Sequence, residues 1–238
     1  MAISRIKNWV AEILEPTDLN AEFNNILNNA TSLISPLTAN LAAGSNKITG
    51  LAAATANGDA VRYEQLGWTL IQTQDASASA TIDFTSGLST TYSQYIILLK
   101  NIVPVTNDVE LWLRVSQSAA FLSGASDYWY TWLSHTTAPA DTNESSSGNT
   151  RLQLSTAMSN VASKSLSGMI QFSDPAGTGN NKSFIWRNVW GSSAATLRGS
   201  SGVGEFQLNT TAIDGLRFLM STGSIASGTF ALYGVRKT

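Results

Sequence analysis

Apolar positions along this chain follow two different periods. Up to residue 37 they step by threes and fours: Ile3, Ile6, Val10 and Ile13, then Leu19, Phe23, Ile26, Ala30, Leu33 and Leu37. That spacing lays one apolar stripe along a helix. Pro16 ends the first helix at about Leu14, because proline removes a backbone donor and biases its predecessor away from the helical region. Thr17 or Asp18 caps the second helix, which runs to about Ser35 and is stopped by Pro36. At 1.5 Å per residue the second helix is roughly 25 Å long. Helices this short are marginal by themselves. The stripe therefore predicts a seam that is buried against a facing helix.

From Trp68 onward the period falls to two. Short runs split by Gly, Asn, Asp, Ser and Pro predict strands near 68–74, 79–84, 94–102, 109–117, 128–133, 150–155, 166–173, 183–190, 204–209, 215–221 and 228–236. Val109, Leu111, Leu113 and Val115 point one way, against Glu110, Trp112 and Arg114. Ile96 and Leu98 oppose Ile97 and Leu99, so that strand is expected to be buried on both faces. Tyr128, Tyr130 and Trp132 share a face that excludes Trp129. Phe184, Trp186 and Trp190 oppose Ile185, Arg187 and Val189. Many short strands at this spacing predict an antiparallel β-sandwich, jelly-roll-like, over residues 67–238. The longest predicted loops are 134–149 and 174–182.

Between the two regimes, residues 38–66 are rich in Gly, Ala, Asn and Thr. A compact domain rarely contains a structureless connection of that length. Lys47, Ile48, Gly50, Leu51, Ala52, Ala53, Thr55, Asp59, Ala60 and Tyr63 carry a pattern that resembles the neck of bacteriophage tail fibres and related short fibre proteins of the virion. Thr17–Asn24 resembles the start of many such proteins. The resemblance covers about the first quarter of the chain. Ala54 stands where a proline is usual, and Arg62-Tyr63 where Lys-Gly-Tyr is common.

The resemblance implies a homotrimer. Residues 1–37 would be a helical anchor and trimeric stalk, with the stripe from Ile3 to Leu37 as its interface. Residues 38–66 would be an interwound neck, closed by a short helix over 60–66 behind an Asp59 cap, and 67–238 a head. It also implies other virion proteins as partners of residues 1–15. A host-surface polysaccharide or protein would be the partner of the head, and the virion the location. A capsid-mounted fibre or tail adaptor that binds other virion proteins is the alternative.

Composition narrows the chemistry. Only 13% of the residues are charged, and the net charge is −2. That is about half the usual charged share, while abundant aromatics argue against disorder. Lys and Arg are scattered, so no nucleic-acid partner is expected. No run approaches the roughly 18 apolar residues of a membrane span, and Arg5, Lys7 and Glu12 interrupt any leader-like core. Without cysteine there is neither disulfide nor thiolate chemistry.

A lone His135 has no second histidine or nucleophile motif beside it, so neither a metal, a cofactor nor a catalytic role is expected. Asp127, Asp141, Glu144, Asp174, Glu205 and Asp214 could by type serve glycoside hydrolysis, which needs two carboxylates at a set separation. All lie in or beside predicted turns, where capping of the backbone is their ordinary use. Gly199–Gly204 superficially resembles a phosphate loop, but it lacks the Gly-Lys-Ser/Thr ending and a following helix, and reads as a hairpin turn. Four Asn-X-Ser/Thr matches, at Asn29, Asn143, Asn181 and Asn209, suit chance in so Asn-, Ser- and Thr-rich a chain. Trp112 and Trp129 lie opposite the more apolar faces of their strands. They are the candidate ligand or subunit surface.

Overall fold

A computed structural model describes residues 67–137 and 140–236, together with Thr17, Asn20, Ala21, Phe23 and Asn24. The chain divides into two units, Met1–Ala52 and Ala53–Thr238. In the first, the five described residues are all helical and fall within the predicted second helix. Phe23, a residue of the apolar stripe, is 55% exposed in the single chain. The rest of the predicted stripe, the neck and the short helix over 60–66 lie outside the described residues.

The second unit is mainly β, with two antiparallel sheets. Its strands are β1 (Trp68–Ser79), β2 (Thr81–Phe84), β3 (Tyr92–Pro104), β4 (Leu111–Gln117), β5 (Ala120–Phe121), β6 (Tyr128–Thr136) and β7 (Thr142–Asn149). They continue with β8 (Leu152–Gln153), β9 (Leu166–Ser173), β10 (Lys182–Gly191), β11 (Leu197–Phe206), β12 (Gly215–Met220) and β13 (Ile225–Arg236). The large sheet has the order β1-β13-β3-β9-β10-β11-β6-β7, and the small one β2-β12-β4-β5 with β8 also paired to β4.

One core joins the sheets. Val109, Leu111, Leu113 and Val115 are all buried, as their alternation predicts, and so are Tyr128, Tyr130, Trp132, Phe184, Trp186 and Trp190. Phe218 of β12 meets Phe230 of β13 with ring centroids 5.0 Å apart, a contact across the layers. The Tyr128 hydroxyl accepts the Val115 N–H at 2.9 Å and donates to the Leu122 carbonyl at 3.0 Å, tying β6 to the small sheet. Burial drives its pKa upward, so the phenol stays protonated and can donate.

Ser118 and Ala119, between β4 and β5, both have positive φ, 51° and 61°. Two left-handed residues make the mirror-image turn that matches the twist of a tight hairpin. Asp214 supports it by accepting the Ala119 N–H at 2.8 Å. Burial raises the Asp214 pKa, but hydrogen bonds from the Ser116 side chain and from the backbone of Ala119, Asp214 and Ser118 outweigh it, so the net shift is downward. A carboxylate with a depressed folded pKa adds stability above its unfolded value, and that stability is lost as pH falls through the folded value. Asp214→Asn should therefore melt below the parent at neutral pH, with the gap closing as pH falls below the ordinary carboxylate range. A gap that stays constant from pH 7 to 2 would contradict this reading.

Four sequence expectations need correction. Gly199–Gly204 is not a hairpin turn but the middle of β11, within the large sheet. A Cβ on Gly202 would lie 2.4 Å from Cβ of Trp132 and 2.5 Å from the Trp186 ring, and one on Gly204 would lie 2.6 Å from Leu152. These glycines leave room for side chains packed against them. The loop expected over 134–149 contains the end of β6 and all of β7, an edge strand templated by β6. The strand expected over 204–209 runs instead over Leu197–Phe206, and the one over 150–155 shrinks to Leu152–Gln153.

Candidate binding surface

The two candidate tryptophans sit on the outer faces of different sheets. Trp112 belongs to the small sheet, and its own chain covers it. The Arg151 guanidinium lies 3.9 Å from the ring centroid, while the indole N–H donates to Glu110 Oε2 at 2.6 Å. Arg151 also reaches Glu110 at 3.5 Å and Asn149 Oδ1 at 2.5 Å. A cation stacked over the ring and a carboxylate on its N–H already satisfy Trp112. Close by in β12, Arg217 grips Asp83 at 2.8 and 2.6 Å and lies over the Phe121 ring. The outer face of the small sheet is thus laced with ion pairs.

The outer face of the large sheet differs. Register places Leu70, Tyr233, Ile96, Gln171, Ile185, Val203, Thr131 and Ser145 in one row across all eight strands. The next row runs Leu98, Met169, Arg187, Ser201, Leu133 and Asn143. Trp129 lies opposite Glu205, which lies opposite Ser183. On this face Trp129 is 48%, Ile185 54% and Val203 49% exposed, and Leu133, Val189 and Leu197 are exposed beside them. Because side chains alternate across a strand, the aromatic core of β6 and β10 sets this parity. Every inward Trp or Phe forces its neighbour outward, and here the neighbours are Trp129, Ile185 and Val189.

Shallow troughs cross this face. The largest, an open space of about 1020 Å³, is lined by Trp129, Thr131, Ser145, Ser146, Ser147, Ser183, Ile185, Val203 and Glu205. A second, of about 440 Å³, lies over Leu133, Asn143, Arg187 and Ser201. Glu205 accepts a hydrogen bond from Asn181 Nδ2 at 2.8 Å. The troughs offer apolar area rimmed by hydroxyls, Glu205 and Arg187, with the exposed His135–Asp141 pair further along the same face beside Val189 and Leu197.

The sequence-predicted chemical candidates do not converge. His135 Nδ1 meets Asp141 Oδ2 at 3.1 Å, and both groups are exposed. Asp141 accepts the Thr136 N–H at 2.9 Å, and Asp127 accepts the Gly124 N–H at 2.5 Å, each closing a local turn. Among the described residues no three His, Cys, Asp or Glu side chains come together as a metal site. No described helix is long and apolar enough to cross a membrane.

Two structural features escaped the sequence reading. Lys182 is 2% exposed and donates to the carbonyls of Gly177 and Asn180 at 2.8 Å and of Thr210 at 3.0 Å. Desolvation lowers its pKa, opposed by the Asp174 charge. Second, Asn188 and Ser200 face the core and donate to the Leu154 carbonyl at 3.2 and 3.0 Å, fixing the 154 segment under the sheet. Parity was the available signal for both: Lys182 and Asn188 sit in step with Phe184, Trp186 and Trp190.

By fold and surface this is a two-sheet antiparallel β unit with a charged, self-satisfied face and another that is buried at Ile96 of β3 but exposes apolar side chains over β6, β10 and β11. No family model, no curated protein and no solved structure matches the chain.

Proposed function

We propose that the chain is the subunit of a homotrimeric bacteriophage-type virion fibre. Residues 1–37 anchor it to other virion proteins and form the stalk, 38–66 the neck, and the two-sheet unit a jelly-roll-like sandwich head. The head attaches to a host-surface polysaccharide or protein. Adhesion is the mechanism, with no chemical step and no cofactor: three copies on one axis raise a weak single-site affinity through effective concentration. The observation that carries the reading is the neck-like run from Lys47 to Tyr63, set between a heptad-spaced stripe and a β unit with few charges.

The second reading, a capsid-mounted fibre or tail adaptor, has a specific observation in its favour. Ile185, Val189, Val203 and Leu133 make an aliphatic surface, better suited to a protein partner than to a sugar. Gold-labelled antibody raised against residues 67–238 and applied to intact virions separates the two. Label on the tail tip or its fibres is expected. Label around the capsid selects the second reading, and virions that stay unlabelled while the antigen is accessible sink both.

A further inference from the structure

We infer that the outer face of β6, β10 and β11 is where copies of this chain meet in the head. The inference deepens the homotrimer reading and rests on it for the number three. It is a surface assignment that the helical stripe does not make.

Area is the first argument. Strands lie about 4.8 Å apart and alternate residues about 6.8 Å apart, so the part of this face that carries the exposed apolar side chains, over β10, β11 and β6, covers on the order of 400 Å². A monomer's largest exposed patch is usually about 300–600 Å² and often functional. Three such faces turned to one axis would remove roughly 1,200 Å² from water in all, about 400 Å² per pairwise contact, so the face adds to an interface that the stalk also forms rather than holding three copies by itself.

Charge is the second argument. Arg187 of β10 and Glu205 of β11 both point outward and flank the Ile185–Val203 pair on opposite sides. A neighbouring copy, rotated about the axis, can set its base against this acid without a foreign partner. The small sheet supplies the contrast. There Arg217 is taken by Asp83, and Arg151 by Glu110 and Trp112, so no matching set of groups is left open.

The chain has no cysteine, which makes the test clean. Full-length Val203→Cys and, as an exposed control in the loop that follows β11, Leu208→Cys are alkylated with a maleimide under native conditions, with mass measured by light scattering. The expected result is a trimer in which position 203 reacts at least about tenfold more slowly than 208, and equalises in denaturant. A trimer in which both react alike overturns the inference and leaves the homotrimer reading standing. Protection at 203 in a dimer or other closed oligomer supports the face and overturns the threefold reading. A monomer overturns both. Ile185→Lys is the second variant: it should open position 203 to the reagent while far-ultraviolet dichroism keeps its β signature. Protection that survives this change counts against the seam. Protection at 203 released by added polysaccharide would assign the face to a sugar and overturn the inference.

Discussion

Gly202→Ala should cost about 3 kcal/mol of unfolding free energy, the upper end for overpacking a filled core. The added methyl would sit 2.4 Å from Cβ of Trp132 and 2.5 Å from two ring carbons of Trp186. Neither neighbour has room to withdraw. Trp132 and Trp186 are both buried in the core, on the strands either side of β11. Relief would need the indole to leave its rotamer or β11 to lift out of register. The urea midpoint measures the loss. Trp186→Ala alone should cost about 3–5 kcal/mol through the cavity it leaves. In combination the two should cost clearly less than their sum, because the alanine methyl then enters space the indole vacated. A Gly202→Ala cost below about 1 kcal/mol, or strict additivity, would show that the ring does not press on the glycine as described.

Lys182→Met should rank second, at about 3 kcal/mol, since it strands carbonyls that charge-assisted hydrogen bonds now satisfy. The ammonium ties Gly177 and Asn180, in the loop before β10, to Thr210 in the loop between β11 and β12. Methionine keeps the length of the stem and removes only the donor, so the loss reports on the bonds rather than on packing. Amide exchange should rise over 174–181 and 207–213 before it rises in the core strands. Unchanged exchange in both loops would mean that they hold themselves.

These two sites also show where the sequence was legible. Alternation at 128–132 and 184–190 foretold the inward aromatics and the exposed Trp129, because parity is a local property of a strand. It did not foretell β11. Glycines read locally as a turn, and their reason lies in rings contributed by the strands on either side, Trp186 and Trp132, both far earlier in the chain. Nor did it foretell β7, whose Thr-Asn-Glu-Ser-Ser-Ser-Gly-Asn has poor strand propensity and is ordered by the β6 edge. Trp112 and Trp129 looked alike in sequence, each opposite an apolar run. Arg151 and Glu110 separated them, and only the fold brings Arg151 over the ring.

The placement of the tryptophans makes the β unit its own optical reporter. Of seven in the chain, six are described: Trp132, Trp186 and Trp190 are buried, Trp112 is partly covered by Arg151, and Trp68 and Trp129 are open to water on one face. Emission from the three inner rings should ignore whatever docks outside. Emission from the outer pair should shift to the blue when that face is covered, so a change in the red edge of the spectrum reads occupancy without any added label.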